Sequence, residues 1–300
     1  MSDRIQTLFD EVTDRVIASL ENGVAPWSKP WVSQGRHMPW NCATGRPYVG
    51  LLNTFMLAMA GQAFTTNAWC GMRQARNKFG VYLKPNQKSP MSVLIPITVK
   101  RTNDATGCEE QKLVGFKAHA VFNADQFDGL VLPPAADATR EHTPHQIAEQ
   151  IIASMPEPPA FLTGDGDRAC YSPLSDAITL PPVNAFTSDD AYYATKFHEM
   201  VHATGHAKRL GREGITNATS FGSHLYSQEE LVAEMGAAYL LALSGIDSQT
   251  EQNAAYVASW LKALKNDRTL LYKAAIDANR GTRLIAGKFL REQAELEAAE

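Results

Sequence analysis

The chain has 300 residues, 44% of them hydrophobic and 20% charged, with 28 Lys and Arg against 32 Asp and Glu for a net charge of −4. Those values exclude a disordered polyelectrolyte and leave length for two domains, each with its own core. No apolar run reaches the roughly 18 residues of a membrane span, the first residues lack the pattern of a secretion signal, and Cys42, Cys70, Cys108 and Cys170 form no C-x-x-C pair, so a reduced, cytoplasmic protein is expected.

Along the chain, Ile5, Leu8, Phe9, Val12, Val16, Ile17 and Leu20 follow a helical period over 3–21, closed by Asn22-Gly23. Pro26, Pro30 and Pro39 keep the next stretch, to about Gly45, out of regular helix. An apolar helix is expected over 51–61, then strands within 81–102 and 115–122, where Val93, Ile95, Ile97 and Val99 alternate. Residues 133–143 read as a Pro-, Ala- and Asp-rich linker between a domain over 1–132 and a second over 144–300. The second domain opens with a helix over 145–155. Short strands follow near 161–163, 169–172 and 178–180, the last placed at a sheet edge because Pro181-Pro182 follow it. Helices carrying Ser188–Gly205 and 227–243 come next, then a helical region over 252–298 with breaks expected near Asp267 and Gly281.

Charge divides the halves. Residues 1–132 hold 14 basic against 10 acidic residues, and 133–300 hold 14 against 22. From Asn22 to Asn103 there are ten Lys or Arg and no carboxylate, with four of the five tryptophans in the same block. Cations neutralise phosphates, and aromatic rings stack on bases without reading sequence. A single-stranded DNA surface is therefore expected from Trp27, Lys29, Trp31, Arg46, Tyr48, Trp69, Arg73, Arg76, Lys78 and Lys84. The competing account is that these tryptophans pack a small core.

The most informative motif is His198-Glu199-Met200-Val201-His202. Two histidines at i and i+4 on a helix can share one metal ion, and Glu199 beside them can take a proton from the attacking water. A catalytic zinc needs a third protein ligand. The helix from Ser227 offers Glu229, Glu230 and Glu234. Glu230 is the expected ligand and Glu234, one turn on, the expected partner of a ligand histidine's other ring nitrogen. A capping box with Ser227 would also explain Glu230, and first-turn charge on the helix dipole would explain Glu229. His206 reads as a helix-terminal residue or a spare ligand. Tyr226 or His224 is expected to stabilise an oxyanion, and the 178–180 strand to hold a peptide by strand addition.

H-E-x-x-H followed by Glu230-x-x-x-Glu234 resembles gluzincin-type zinc peptidases; the metzincin pattern would place His where Lys208 stands. More of the chain resembles the ArdC-type antirestriction proteins of conjugative plasmids. The matching residues are Ala25 to Trp31, Asn41, Thr44 to Tyr48, Asn53, Trp69 and Val121-Phe122-Asn123, then Tyr171-Ser172-Pro173, His198 to Leu210 and Glu229 to Glu234. The resemblance implies an α+β chain of two domains: a mixed α+β single-stranded-DNA-binding domain, then a gluzincin-like metallopeptidase domain of a small sheet plus helices. It also implies a bacterial cytoplasmic setting, Zn2+ or another divalent ion such as Mn2+, and a host restriction enzyme as counterpart. A single-strand-dependent metalloprotease of DNA-bound proteins, and a DNA shield with a merely structural zincin domain, remain open beside it.

Overall fold

The computed structural model describes residues 3–26, 38–48, 50–102, 109–132, 143–166, 168–217, 223–246 and 254–299. Trp27, Lys29, Trp31 and nearly all of the expected linker lie outside the described residues. The chain divides into two compact units, the first of residues 1–14, 38–49 and 53–136, the second of 15–37, 50–52 and 137–300. The opening helix α1 (Asp3–Glu21) buries Phe9, Val12, Val16 and Leu20, one stripe of its expected period.

The first unit is built on a four-stranded sheet of β1 (Trp40–Asn41), β2 (Ala68–Cys70), β3 (Met91–Thr102) and β4 (Glu109–Asn123), in the order β1-β2-β4-β3. The β1–β2 pair is parallel and the other two are antiparallel. The expected strand over 81–102 begins ten residues late. Residues 81–90 are irregular apart from the Leu83–Phe127 bridge, because Pro85 and Pro90 interrupt the ladder. Helix α2 (Leu51–Gly61) buries Phe55, Met56 and Leu57, and its Asn53 side chain pairs with both the N–H and the C=O of Leu94, continuing the β3 edge as a strand would. Helix α3 (Met72–Phe79) was not expected. Its sequence MRQARNKF buries only Ala75, so it has no apolar period, and Gly80 at φ +70° closes it.

In the second unit, β5 (Ala160–Thr163), β6 (Cys170–Ser172) and β7 (Ala177–Leu180) form a sheet in the order β5-β7-β6. The strand expected at an edge is therefore central. Pro181 and Pro182 follow its last residue and remove no hydrogen bond from its ladder. Helix α4 (Pro144–Ala153) starts from a Thr143 capping box. Helix α5 (Asp189–Thr204) starts from Ser188, whose hydroxyl accepts from Ala191 N. Beyond the short α6 (Glu213–Thr216), α7 (His224–Ser244) packs against α5 and also against α9 (Leu270–Ala299), with α8 (Ala254–Asn266) beside it.

Gly236 sets how close α5 and α7 come. A Cβ there would lie 2.7 Å from Val201 Cγ2, closer than atoms can sit, so the helices meet backbone to side chain. Gly281 has the same function and does not break α9 as expected, because a Cβ there would meet Thr204 Oγ1 at 2.8 Å. The expected break at Asp267 does occur; its carboxylate accepts from Thr269 N across the α8–α9 turn. No described helix is long and apolar enough to cross a membrane.

Candidate metal centre

Close packing of α5 on α7 brings together His198, His202 and Glu230, the only metal-capable group of three such residues among those described. The His198 and His202 Nε2 atoms are 3.1 Å apart. Glu230 Oε2 is 3.6 Å from His198 Nε2, and its Oε1 is 3.6 Å from His202 Nε2. A tetrahedral ion with ligands at 2.0–2.1 Å needs donors about 3.3–3.4 Å apart. An octahedral ion with ligands at 2.1 Å needs neighbouring donors about 3.0 Å apart. The observed separations of 3.1 and 3.6 Å span the tetrahedral value and lie just above the octahedral one, and the nitrogen and carboxylate donors suit a borderline divalent ion.

Glu199 is buried beside this cluster, and its Oε2 accepts a hydrogen bond from Tyr171 N of β6 at 2.7 Å. The Tyr171 hydroxyl in turn donates to Asp176, which pairs with the buried Arg209. Arg209 also donates from Nε to Ala203 O near the end of α5. Burial pushes the His198 imidazole towards its neutral form, but Glu230, Glu234 and Glu199 outweigh that and hold its pKa up at about 9.

The three glutamates of α7 separate by role. Helix α7 begins one turn earlier than expected, capped by Ser223, and Ser227 instead bonds Ser259, so the Ser227–Glu230 capping box does not form. Burial pushes the Glu230 carboxyl up, but His198, His202 and the Tyr226 hydroxyl outweigh that and hold it below its ordinary value. Glu234 lies 3.7 Å from His198 Nδ1, the side on which it was expected. Glu229 is not a surface charge on the helix dipole. It is buried, with Oε1 3.1 Å from His202 Nδ1, and is paired with Arg212. The sequence offers Glu229 as a candidate but favours dipole charge for it, and it gives no signal for Arg212, which no motif announces. His224 sits 3.6 Å from Asp267 at the α8–α9 turn and is not one of the clustered metal-capable residues. His206 accepts from Lys208 N and stands outside the metal cluster.

Residues 6–122 match the family described as the N-terminal domain of anti-restriction factor ArdC, and residues 147–277 match the zincin-like metallopeptidase family. The crystal structure of the antirestriction ArdC protein from plasmid R388, in its metal-free form, is 35% identical with a TM-score of 0.70, and covers 93% of this chain and 96% of that one. The chain belongs to the ArdC family of antirestriction proteins. The Mn(II)-bound structure of the R388 protein matches equally, at 34% identity and TM-score 0.70 over 94% of this chain and 97% of that one. Two Escherichia coli proteins named DNA primase TraC are 35% and 33% identical over 93% and 90% of this chain, which spans only 27% and 19% of their lengths. An uncharacterised protein of Sinorhizobium fredii, y4eC, is 27% identical over 90% of this chain and 89% of its own length. The expected fold, two α+β domains with the second zincin-like, is the fold of this ArdC-family chain.

In the ArdC-type first unit, the residues expected to face DNA separate into two groups. Arg46, Arg73, Arg76, Lys78 and Lys84 are exposed, and Arg76 lies over the exposed ring of Tyr82, 5.6 Å from its centroid. Tyr82 is an aromatic in the basic block that sequence reasoning passed over. Trp69 is a correction: it is fully buried between β1 and β4, edge-on to Phe64, and has no face for a base. Tyr48 is half-buried with its hydroxyl accepting from Asn41, so it too serves the fold. Asn41 and Asn123, also among the matching residues, cap local turns.

Proposed function

We propose that this chain is a plasmid-borne antirestriction protein whose first unit holds single-stranded DNA and whose second unit is a zinc-type metallopeptidase that acts on a protein threatening incoming DNA. The observation that carries the reading is the convergence of His198, His202 and Glu230 on one point with Glu199 beside it. The Mn(II)-bound form of the R388 relative supports a divalent ion as the cofactor of this chain.

A divalent ion held there would acidify the attacking water and polarise the scissile carbonyl. Glu199 takes the water's proton and returns it to the leaving amine; its hydrogen bond from Tyr171 N fixes one carboxylate oxygen and so orients the other. Tyr226, whose hydroxyl acts on Glu230, supplies the hydroxyl for the developing oxyanion. The peptide lies along β6, the sheet edge next to Glu199, rather than along the central β7. In the first unit, the cations of α3 with Arg46 and Lys84 supply phosphate contacts and Tyr82 a stacking face.

The test is the efficiency with which unmodified DNA enters a restricting recipient that makes wild-type protein or Glu199→Gln. Loss of protection in Glu199→Gln, with metal content and DNA binding intact, is the expected result. Full protection by that variant would reject the peptidase and leave a DNA shield with a structural zincin unit.

A further inference from the structure

Eight residues beyond the metal helix, a buried arginine reaches back to the centre through one of the glutamates of α7. The chain leaving α5 doubles under it: Leu210 N donates to Thr204 O and Arg212 N to Gly205 O, which pins Arg212 beneath the helix end. Its guanidinium is bonded within the fold. Nε donates to Glu229 Oε2 at 2.9 Å and Nη2 to Glu229 Oε1 at 2.6 Å, a two-point fork. Nη1 donates to Thr204 Oγ1 at 2.7 Å, and Nη2 also to Val201 O at 2.8 Å. The same Glu229 Oε1 stands 3.1 Å from His202 Nδ1.

We infer that Arg212 is a positioning residue for the metal centre, setting its affinity through Glu229 and His202. This rests on the reading that His198, His202 and Glu230 hold a metal ion. A carboxylate on Nδ1 fixes the imidazole tautomer, so that the Nε2 lone pair faces the ligand cluster, and holds the ring's orientation. Glu229 can do so only as a carboxylate, and burying an unpaired carboxylate is costly. Arg212 provides its counter-charge, and its planar fork fixes both oxygens where a lysine would fix one. Space for the pair is reserved: a Cβ at Gly214 would lie 2.7 Å from Glu229 Cβ, and one at Gly205 3.0 Å from Arg212 Cζ. Among the described residues the other imidazole has no carboxylate as close on that side, Glu234 standing 3.7 Å from His198 Nδ1. Arg209, three residues earlier, serves a different end of the site, bonding Asp176 and Tyr171 on the Glu199 side.

Zinc affinity of the full chain, measured by competition with a chromogenic chelator, tests this. Arg212→Met and Glu229→Gln should each weaken zinc binding by about 10–100-fold. The double variant should be no weaker than the poorer single one, because both act through one contact. Arg209→Met should bind zinc within about threefold of wild type, since loss of outer partners costs affinity only where they hold a ligand. Wild-type affinity in Arg212→Met, additive losses in the double variant, or an equal loss in Arg209→Met would overturn the inference while leaving the metal reading intact. Absence of zinc binding by the wild type would overturn both. Should Arg212→Met fail to fold, Glu229→Gln, which keeps the side chain's shape, decides with Arg212→Lys: partial recovery in the lysine variant is expected, and wild-type affinity in Glu229→Gln refutes.

Discussion

Gly236→Ala tests the claim that the metal centre depends on how closely two helices approach. The added Cβ would sit 2.7 Å from Val201 Cγ2 and 2.9 Å from Cγ1. Ordinary carbon contacts need about 3.5–4.0 Å, so α5 and α7 must part locally by about 0.9 Å. Overpacking of this kind costs about 1–3 kcal/mol, while alanine in mid-helix returns about 0.8–1.0 kcal/mol over glycine. The net is about 1 kcal/mol of destabilisation, or a Tm lower by about 3 °C for a unit of this size. The larger effect falls on the site, because His198 and His202 ride on α5 and Glu230 on α7. Metal sites tolerate ligand displacements of about 0.2 Å, so zinc affinity should fall at least about tenfold. Chelator competition and thermal melting read the two effects separately. With Val201→Ala in place, the first atom to meet the new Cβ is Val201 Cβ at 3.4 Å, an ordinary contact. Gly236→Ala should therefore leave zinc affinity unchanged in that background. Undiminished affinity in Gly236→Ala alone, or a loss that Val201→Ala does not repair, would refute the reasoning.

Three further outcomes are expected. Replacing Arg73, Arg76 and Lys78 by alanine should weaken single-stranded DNA binding and make the slope of log K against log salt shallower by about 2, at about 0.7 per lost phosphate contact; anisotropy titrations at several salt concentrations measure it, and an unchanged slope would remove α3 from the interface. Trp69→Ala should cost about 3–5 kcal/mol in denaturant unfolding, whereas Trp69→Leu, which keeps an apolar side chain but no ring, should keep DNA affinity, since removing a stacking ring would lose about 1–3 kcal/mol. Zinc uptake should strengthen as pH rises: the neighbouring carboxylates keep metal-free His198 protonated up to about 9, and the ion must displace that proton. The gain should be about tenfold per pH unit per proton released, read between pH 6.5 and 8.5, and a flat profile would contradict it.

The parts of the fold legible in the sequence were those with a sustained period or a capped end. α1, α2, α5 and the region of α8 and α9 announced themselves by apolar spacing, Ser188 or Asp267. Short or polar elements did not. A two-residue β1 and a three-residue β2 carry too little pattern, and α3 is recognisable only from its closing Gly80. Trp69 misled because a tryptophan in a basic block has the same composition whether it faces solvent or core; it is the middle residue of a strand paired on both sides that decides. Gly281 misled for the opposite reason, since glycine in a helix signals either a break or a close approach, and only its neighbour Thr204 tells which.

In the metal centre, His198, Glu199 and His202 were legible because one helix fixes their spacing, while the carboxylate partners depend on how a second helix is turned against it. Adjacent positions on a helix point about 100° apart, from 3.6 residues per turn. Glu229 and Glu230 therefore cannot both face one nitrogen, and the fold uses the divergence. Glu229 lies 3.1 Å from Nδ1 of His202 while Glu230 lies 3.6 Å from its Nε2, so consecutive residues bracket a single imidazole from both sides. Rotating α7 by one residue would move both carboxylates off the imidazole together. The rotation of α7 is in turn fixed from behind by Arg212 holding Glu229 and by Val201 seated on Gly236. The site is thus specified by a contact set spread from His198 to Gly236, in which the residues that would touch the ion are the recognisable minority.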